Sequence, residues 1–501
     1  MEKKTKHNQL KWGVVLSYTA QAITLLSGLL YTPFMLKLLG QSEYGLYQLS
    51  SSMIAYLGLL NFGFSSGYLR IYFRYKQEDD TNGIAGLNGL YLIIFLIISL
   101  ITVITGLIVI GFSDDFLKNG LTETELIKIK PLMLIMLFTL ILTFLSSVFD
   151  CYISAYSEFI FQRGLQVLKA LLNPFIMLPL LLLGYKSLTM ATVSALLTLA
   201  NFCCSVLFCV KKLNMQFRFS VYNASLIKEI SNFTLFIFIS SVVDKINFSL
   251  DNFLLGSISG TVMVSVYSLG SQINGYFNII STSVATLFAP RINQIVAKSN
   301  DNELLTDVFI KISRLLFVIL TMVWLGFLFF GKTFVLLWVG NDYEKSYYIA
   351  FILMSGCIVQ LIQICGIEIQ KAKNMHKNRS IAYFIAAIFN IIISIPLIKL
   401  FGAIGASLGT MISMTICSSF YMNWFYNNKI GLNMARYWKS LLSIFPCFIV
   451  SISVGIIYLK MGSNNIFLFI AFASVFCITF VLSIYIKAKC ENKSIKKIFL
   501  E

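Results

Sequence analysis

The chain has 501 residues, 57% of them hydrophobic and 12% charged, with 39 Lys and Arg against 22 Asp and Glu for a formal net charge of +17. A soluble domain carries about 25% charged residues, so this composition excludes a water-exposed globule and implies burial in lipid. The positive balance is scattered over many short loops rather than gathered in one stripe, which excludes nucleic acid as a partner and leaves anionic membrane lipids.

A hydrocarbon core about 30 Å thick takes about 20 apolar residues at 1.5 Å rise each. Fourteen such runs are predicted, near residues 12–36, 44–69, 87–111, 131–155, 165–183, 188–210, 231–255, 262–289, 312–335, 346–369, 381–398, 403–426, 441–459 and 466–486. The fold class is therefore an all-α polytopic membrane protein. An even count places both termini on one side, and the loops of that side hold 28 of the 39 Lys and Arg against nine opposite, with Lys169 and Lys245 inside apolar runs. Basic loops resist translocation, so both termini are expected in the cytoplasm of a plasma membrane. The first run has a basic lead and no small-residue cleavage site, and is expected to stay as helix one.

Between the first two runs lies LLGQSEYGLYQLSSSMIAYL, Leu38 to Leu57, and a weaker copy, LLGSISGTVMVSVYSLGSQINGYF, follows at Leu254 to Phe277. Tyr47, Leu49, Ser51 and Tyr56 fall opposite Tyr267, Leu269, Ser271 and Tyr276. A duplication at an even spacing of helices gives two similar, parallel lobes around a shared space, which is how transporters are built. The expected division is an N-terminal lobe at 1–212, a C-terminal lobe at 213–428, and two further helices with a basic tail at 429–501.

Polar residues inside the runs come next, because a charge at the bilayer centre costs about 2.5 to 3.5 kcal/mol and usually faces a protein interior or a wet cavity. Helix two carries Gln48, Ser50, Ser51, Ser52, Asn61, Ser65 and Ser66. Arg70, Arg74, Arg163, Lys211 and Lys212 gather at cytoplasmic helix ends; each serves as an anchor, and together they would attract a diphosphate from the inner leaflet. Asp150 in helix four and Lys169 in helix five are expected at equal depth and read as a structural ion pair, with a cation facing the cytoplasm as the alternative for Lys169. In helix seven, Ser240, Asp244, Asn247 and Asp251 form one face at steps of four, three and four, flanked by Ser241, Lys245, Ser249 and Asn252. That stripe reads as cavity lining or, alternatively, as charges neutralising one another within the lobe. Helix eight is polar around much of its girth through Ser265, Ser268, Ser271, Gln272, Asn274, Asn278, Ser281 and Ser283.

Other chemistry is thinly supplied. The two histidines, His7 and His376, fall in loops, and the ten cysteines show no CxxC spacing, so neither a metal site nor a disulfide framework is expected. Gly326 to Thr333 spells GFLFFGKT, a literal match to GxxxxGK[ST], but a phosphate loop must follow a strand, and this one ends a membrane helix. No cofactor is expected beyond a coupling ion, Na⁺ or H⁺, and an ion gradient, the membrane potential or the substrate's own gradient is left as the energy source.

Seven segments in order, LLGQSEYGLYQL, GYLRIYFRYK, SAYSEFIFQRGLQVLKALLNPF, SLDNFLLG, VYSLG, WVGNDYEKSY and FGAIGASLGTMIS, resemble the polysaccharide biosynthesis family of Wzx-type oligosaccharide flippases. The family sits in the multidrug/oligosaccharidyl-lipid/polysaccharide superfamily. The resemblance implies two six-helix lobes in pseudo-twofold repeat with helices thirteen and fourteen appended. It also implies a transporter, not an enzyme, that flips an undecaprenyl-diphosphate-linked repeat unit to the outer leaflet for capsule, O-antigen or exopolysaccharide, beside a polymerase and glycosyltransferases. Many members carry Asp-Arg where this chain has Asp251 and Asn252, which leaves Lys245 as the deep cation. Candidate cavity residues are thus Gln48, Arg70, Lys169, Asp244, Lys245, Asn247, Asp251, Gln272 and Asn274. A cation-coupled multidrug exporter and a lipid II flippase are the alternatives within the superfamily. A membrane glycosyltransferase is disfavoured because the longest outer loop, SDDFLKNGLTETELIKIK, shows no convergent cluster.

Overall fold

A computed structural model describes residues 2–61, 64–219, 250–298, 301–373, 375–461 and 465–490. Among these the regular elements are all helical. Eleven segments are long and apolar enough to cross a membrane, and they coincide with predicted spans one, three to six and nine to fourteen. Span seven lies largely outside the described residues. Spans two and eight are helical but missing from the eleven, and with span seven they are the spans noted above for their polar residues. Span two is broken into α2 (Gln41–Leu57), a 3₁₀ turn at Gly58–Asn61 and α3 (Phe64–Gln77). Gly58 and Asn61 are poor helix formers, so the helix yields there.

The chain forms two compact units, Met1–Ser265 and Val266–Glu501. The first holds α1 (Glu2–Leu39), α2, α3, α4 (Thr81–Gly111), the short α5 (Ser113–Leu117), α6 (Glu123–Ala155), α7 (Phe159–Leu182), α8 (Ser187–Lys211) and α9 (250–258). α1 packs along α7, while α6 packs on α4 and α8. Its core is a tyrosine-rich cluster in which Tyr68, Tyr72, Tyr91, Phe95, Phe144 and Tyr152 are all buried.

The boundary falls within the first turns of α10 (Thr261–Lys298). The second unit continues with α11 (Asn302–Val339), α12 (Glu344–Ile362), α13 (Cys365–Ala372), α14 (His376–Phe401), α15 (Ala403–Thr415) and α16 (Met422–Phe425), then α17 (Met434–Leu442), α18 (Ile449–Met461) and α19 (Ile466–Cys490). Its helix pairs reproduce those of the first unit: α11 on α12, α12 on α15 and α14 on α15 answer α4 on α6, α6 on α8 and α7 on α8. α17, α18 and α19 lean on α11 through Phe329, Phe330, Phe448, Phe476 and Phe480. The GFLFFGKT segment runs as continuous helix within α11, with no strand before it, so its backbone N–H groups are spent in the helix rather than offered to phosphate.

Candidate functional site

The repeat is written into the backbone at two glycines. Gly40 and Gly260 each precede a repeated helix, α2 and α10, with φ of +80° and +83°. An L side chain disfavours that region, so glycine is what lets both helices start there. This pairing keeps the register in which Tyr47 falls opposite Tyr267, so the two LLG triplets lie four residues out of step, with Gly256 to Ser259 extra in the second copy.

The two copies also touch, at one end of the N-terminal unit. A Cβ built on Gly45 would lie 1.9 Å from the Thr261 carbonyl oxygen, one on Gly256 would lie 2.5 Å from the Leu49 side chain, and the Asn252 amide donates to Ser52 Oγ at 2.9 Å. Residue numbers rise on one side as they fall on the other, so α9 runs antiparallel along α2. Small residues at this spacing let helix backbones approach as closely as membrane helices do. The 113–130 loop closes the same end: a Cβ on Gly120 would lie 2.1 Å from the Gly256 carbonyl oxygen.

A carboxylate pins the contact. Glu125 accepts Ser42 Oγ and Thr261 Oγ1, each at 2.6 Å on one oxygen, and the Thr122 N–H at 2.9 Å on the other. One turn away, Glu43 is 8% exposed and accepts Lys128 Nζ and Ser187 Oγ, both at 2.5 Å. The loop expected to hold no convergent cluster therefore carries one, structural in kind. The Thr-x-x-Glu capping pattern at Thr122 and Glu125 was its sequence signal, but a capping glutamate normally serves only its own helix.

The candidate residues divide as follows. Asp244, Lys245 and Asn247 lie outside the described residues. Asp251 is buried in the N-terminal unit beside Asn252. Gln48 on α2 donates to Tyr44 Oη at 2.8 Å, and Gln272 on α10 donates to Tyr276 Oη at 2.7 Å, so each amide is held by a tyrosine one turn away. Asn274 is buried in the second unit, whereas Arg70 is exposed midway along α3. Lys169 and Asp150 do not form the expected ion pair. Lys169 Nζ donates to Thr198 Oγ1 at 2.9 Å, and Asp150 accepts Ser146 Oγ at 3.3 Å and Ser205 Oγ at 3.5 Å. Thr198 and Ser205 are seven residues apart on α8, about 10 Å along the axis, so the two charges sit at different depths and each is satisfied by hydroxyls.

Solved structures share this architecture. The lipid II flippase MurJ in an inward closed conformation superposes with a TM-score of 0.73 over 96% of this chain and 100% of its own, at 16% identity. An inward-facing multidrug resistance MATE family transporter gives 0.67 over 81% and 93%, at 14% identity, and a MOP superfamily transporter from Pyrococcus furiosus gives 0.55 over 84% and 94%, at 13% identity. The fold is the one these solved transporters share. The chain belongs to the polysaccharide biosynthesis protein family, whose model matches residues 34–348. No curated protein matches the sequence.

Proposed function

We propose that the protein is a flippase for an undecaprenyl-diphosphate-linked oligosaccharide, carrying it from the inner to the outer leaflet of a bacterial plasma membrane for cell-surface polysaccharide. The observation that carries the reading is membership of the polysaccharide biosynthesis family over residues 34–348, a stretch that includes both repeated segments, on a MOP-superfamily fold. Sugar and diphosphate would pass along the polar second, seventh and eighth helices while the polyprenyl tail stays in lipid, so that hydroxyls, amides and Lys245 replace water. The termini would lie in the cytoplasm, and Na⁺ or H⁺ would couple turnover. On that orientation the glycine-packed end of the N-terminal unit is the outer end.

Deletion is the test: undecaprenyl-linked repeat units should accumulate on the cytoplasmic side and surface polysaccharide should disappear. Lys245→Ala and Asp251→Ala should lower export at near-normal protein abundance; lost abundance with unchanged export per molecule would assign both residues to structure. A second reading, lipid II as cargo, is favoured by the likeness to a lipid II flippase over that protein's whole chain. Rescue of cells depleted of their own lipid II flippase would support it.

A further inference from the structure

At the other end of the N-terminal unit, the ends of α4, α6 and α8 enclose a cavity of about 550 Å³ whose wall includes Thr81, Asn88, Tyr152, Tyr156, Lys212 and Asn214. Its frame is rigid. Asn88 accepts Tyr68 Oη at 2.5 Å and donates to the Gln216 carbonyl at 2.9 Å, while the Arg218 N–H donates to the Ala85 carbonyl at 2.9 Å. The connection after α8 is thus laced to the first turns of α4, where a Cβ on Gly89 would meet the Arg218 carbonyl at 2.3 Å.

Two ammonium groups flank this space, and aromatic rings rather than carboxylates hold both. Lys76 Nζ lies 5.4 Å from the Tyr72 ring centroid and 5.2 Å from that of Tyr156, and Lys212 Nζ lies 4.7 Å from that of Phe208. Neither lysine makes a salt bridge among the described residues. Of the nearby acids, Asp80 caps α4 by accepting the Gly83 N–H at 2.7 Å, and Glu78 and Asp79 face solvent. Ring-held ammoniums keep their charge for another anion. The chemistry around the opening says which kind. Leu207 and Val210, directly before Lys212 on α8, are half exposed, so the apolar, lipid-facing surface ends where the cations begin. Phenol and amide donors beside two ammoniums at that boundary suit phosphate oxygens.

We propose that this cavity binds the phosphate headgroup of a membrane lipid. The inference requires only that the chain lie in a membrane, so it stands or falls apart from the flippase reading. Its source is either a bulk phospholipid or a polyprenyl phosphate, and the test separates them. Full-length protein purified in detergent is titrated with phosphatidylglycerol, undecaprenyl diphosphate and, as a headgroup lacking phosphate, diacylglycerol, with bound lipid read by native mass spectrometry. The phosphate lipids should bind and diacylglycerol should not, and whichever phosphate lipid binds tighter names the source. Lys76→Ala with Lys212→Ala should weaken binding about tenfold at unchanged thermal stability, and Lys76→Arg with Lys212→Arg should restore most of it. Asn214→Asp, which keeps a side chain tolerant of the positive φ at that position, adds a carboxylate to the wall and should weaken binding severalfold even if the lysine variants fold poorly. Equal binding by diacylglycerol, or phosphate-lipid binding unmoved by both the paired alanines and Asn214→Asp, would overturn the site.

Discussion

The two ends of the N-terminal unit are built on opposite principles. One turns its chain at Gly40, Gly184 and Gly260, all at positive φ, and closes by bringing backbone against backbone at Gly45, Gly120 and Gly256. The other turns at Asp79, Ser157 and Asn214, also at positive φ but with polar side chains, and leaves a polar cavity between its helix ends. A left-handed residue other than glycine carries a modest conformational cost, which Asp and Asn bear most easily through local hydrogen bonds. Gly45, Gly120 and Gly256 thus stand where side chains would collide, while Asn214 stands in the wall of the cavity. The glycine end is a seal, while the polar end is a receptacle.

The contrast can be broken most forcefully at Gly45. Gly45→Val places side-chain carbons against the Thr261 carbonyl, where neither backbone can retreat without moving a helix, so export should fall at least about tenfold. Ser52→Cys, 8% exposed in its native form, should become reactive to a membrane-impermeant maleimide in that background; unchanged labelling would mean that the glycine contact does not hold the seal. Glu43→Gln comes next. It removes the charge that pairs with Lys128 beneath a largely buried surface, which should cost about 1 to 3 kcal/mol and lower the unfolding temperature in detergent by several degrees. Glu125→Gln keeps an acceptor for Ser42 and Thr261 and should cost about 1 kcal/mol, seen as faster hydrogen exchange confined to residues 117–125. The smallest effect is expected between Asp150 and Lys169. A double-mutant cycle, Asp150→Asn with Lys169→Met, should give a coupling below about 0.5 kcal/mol, and a coupling above about 1 kcal/mol would reinstate a direct ion pair.

The spans were legible because an apolar run of about 20 residues has few alternatives in a bilayer, and the duplication was legible because Tyr47 and Tyr267 keep their neighbours. Even the polarity of helices two and eight was readable; it keeps helix eight outside the eleven strongly apolar segments, whereas span two is missing because its break leaves helices of 17 and 14 residues. The Asp150–Lys169 pair was misread because opposite charge and similar distance from a helix end do not fix azimuth or depth; Thr198 and Ser205 on a third helix decided both. The Glu125 cluster went unread for a related reason. Ser42, Glu125 and Thr261 are separated by 83 and 136 residues, and nothing local in any one segment names the others.

The sequence by itself determined the lipid setting, the helical class, the repeat and the membership in a polysaccharide biosynthesis family, since these follow from composition, run length and motif order. Only the tertiary structure decided that Gly40 and Gly260 share a left-handed turn, that α9 lies against α2 along glycines, and that a cavity flanked by two ring-held lysines opens at the opposite end. The physical reason is that hydropathy is summed along the chain, whereas close packing and hydrogen bonding act across it, between residues whose spacing in sequence carries no record of their distance in space.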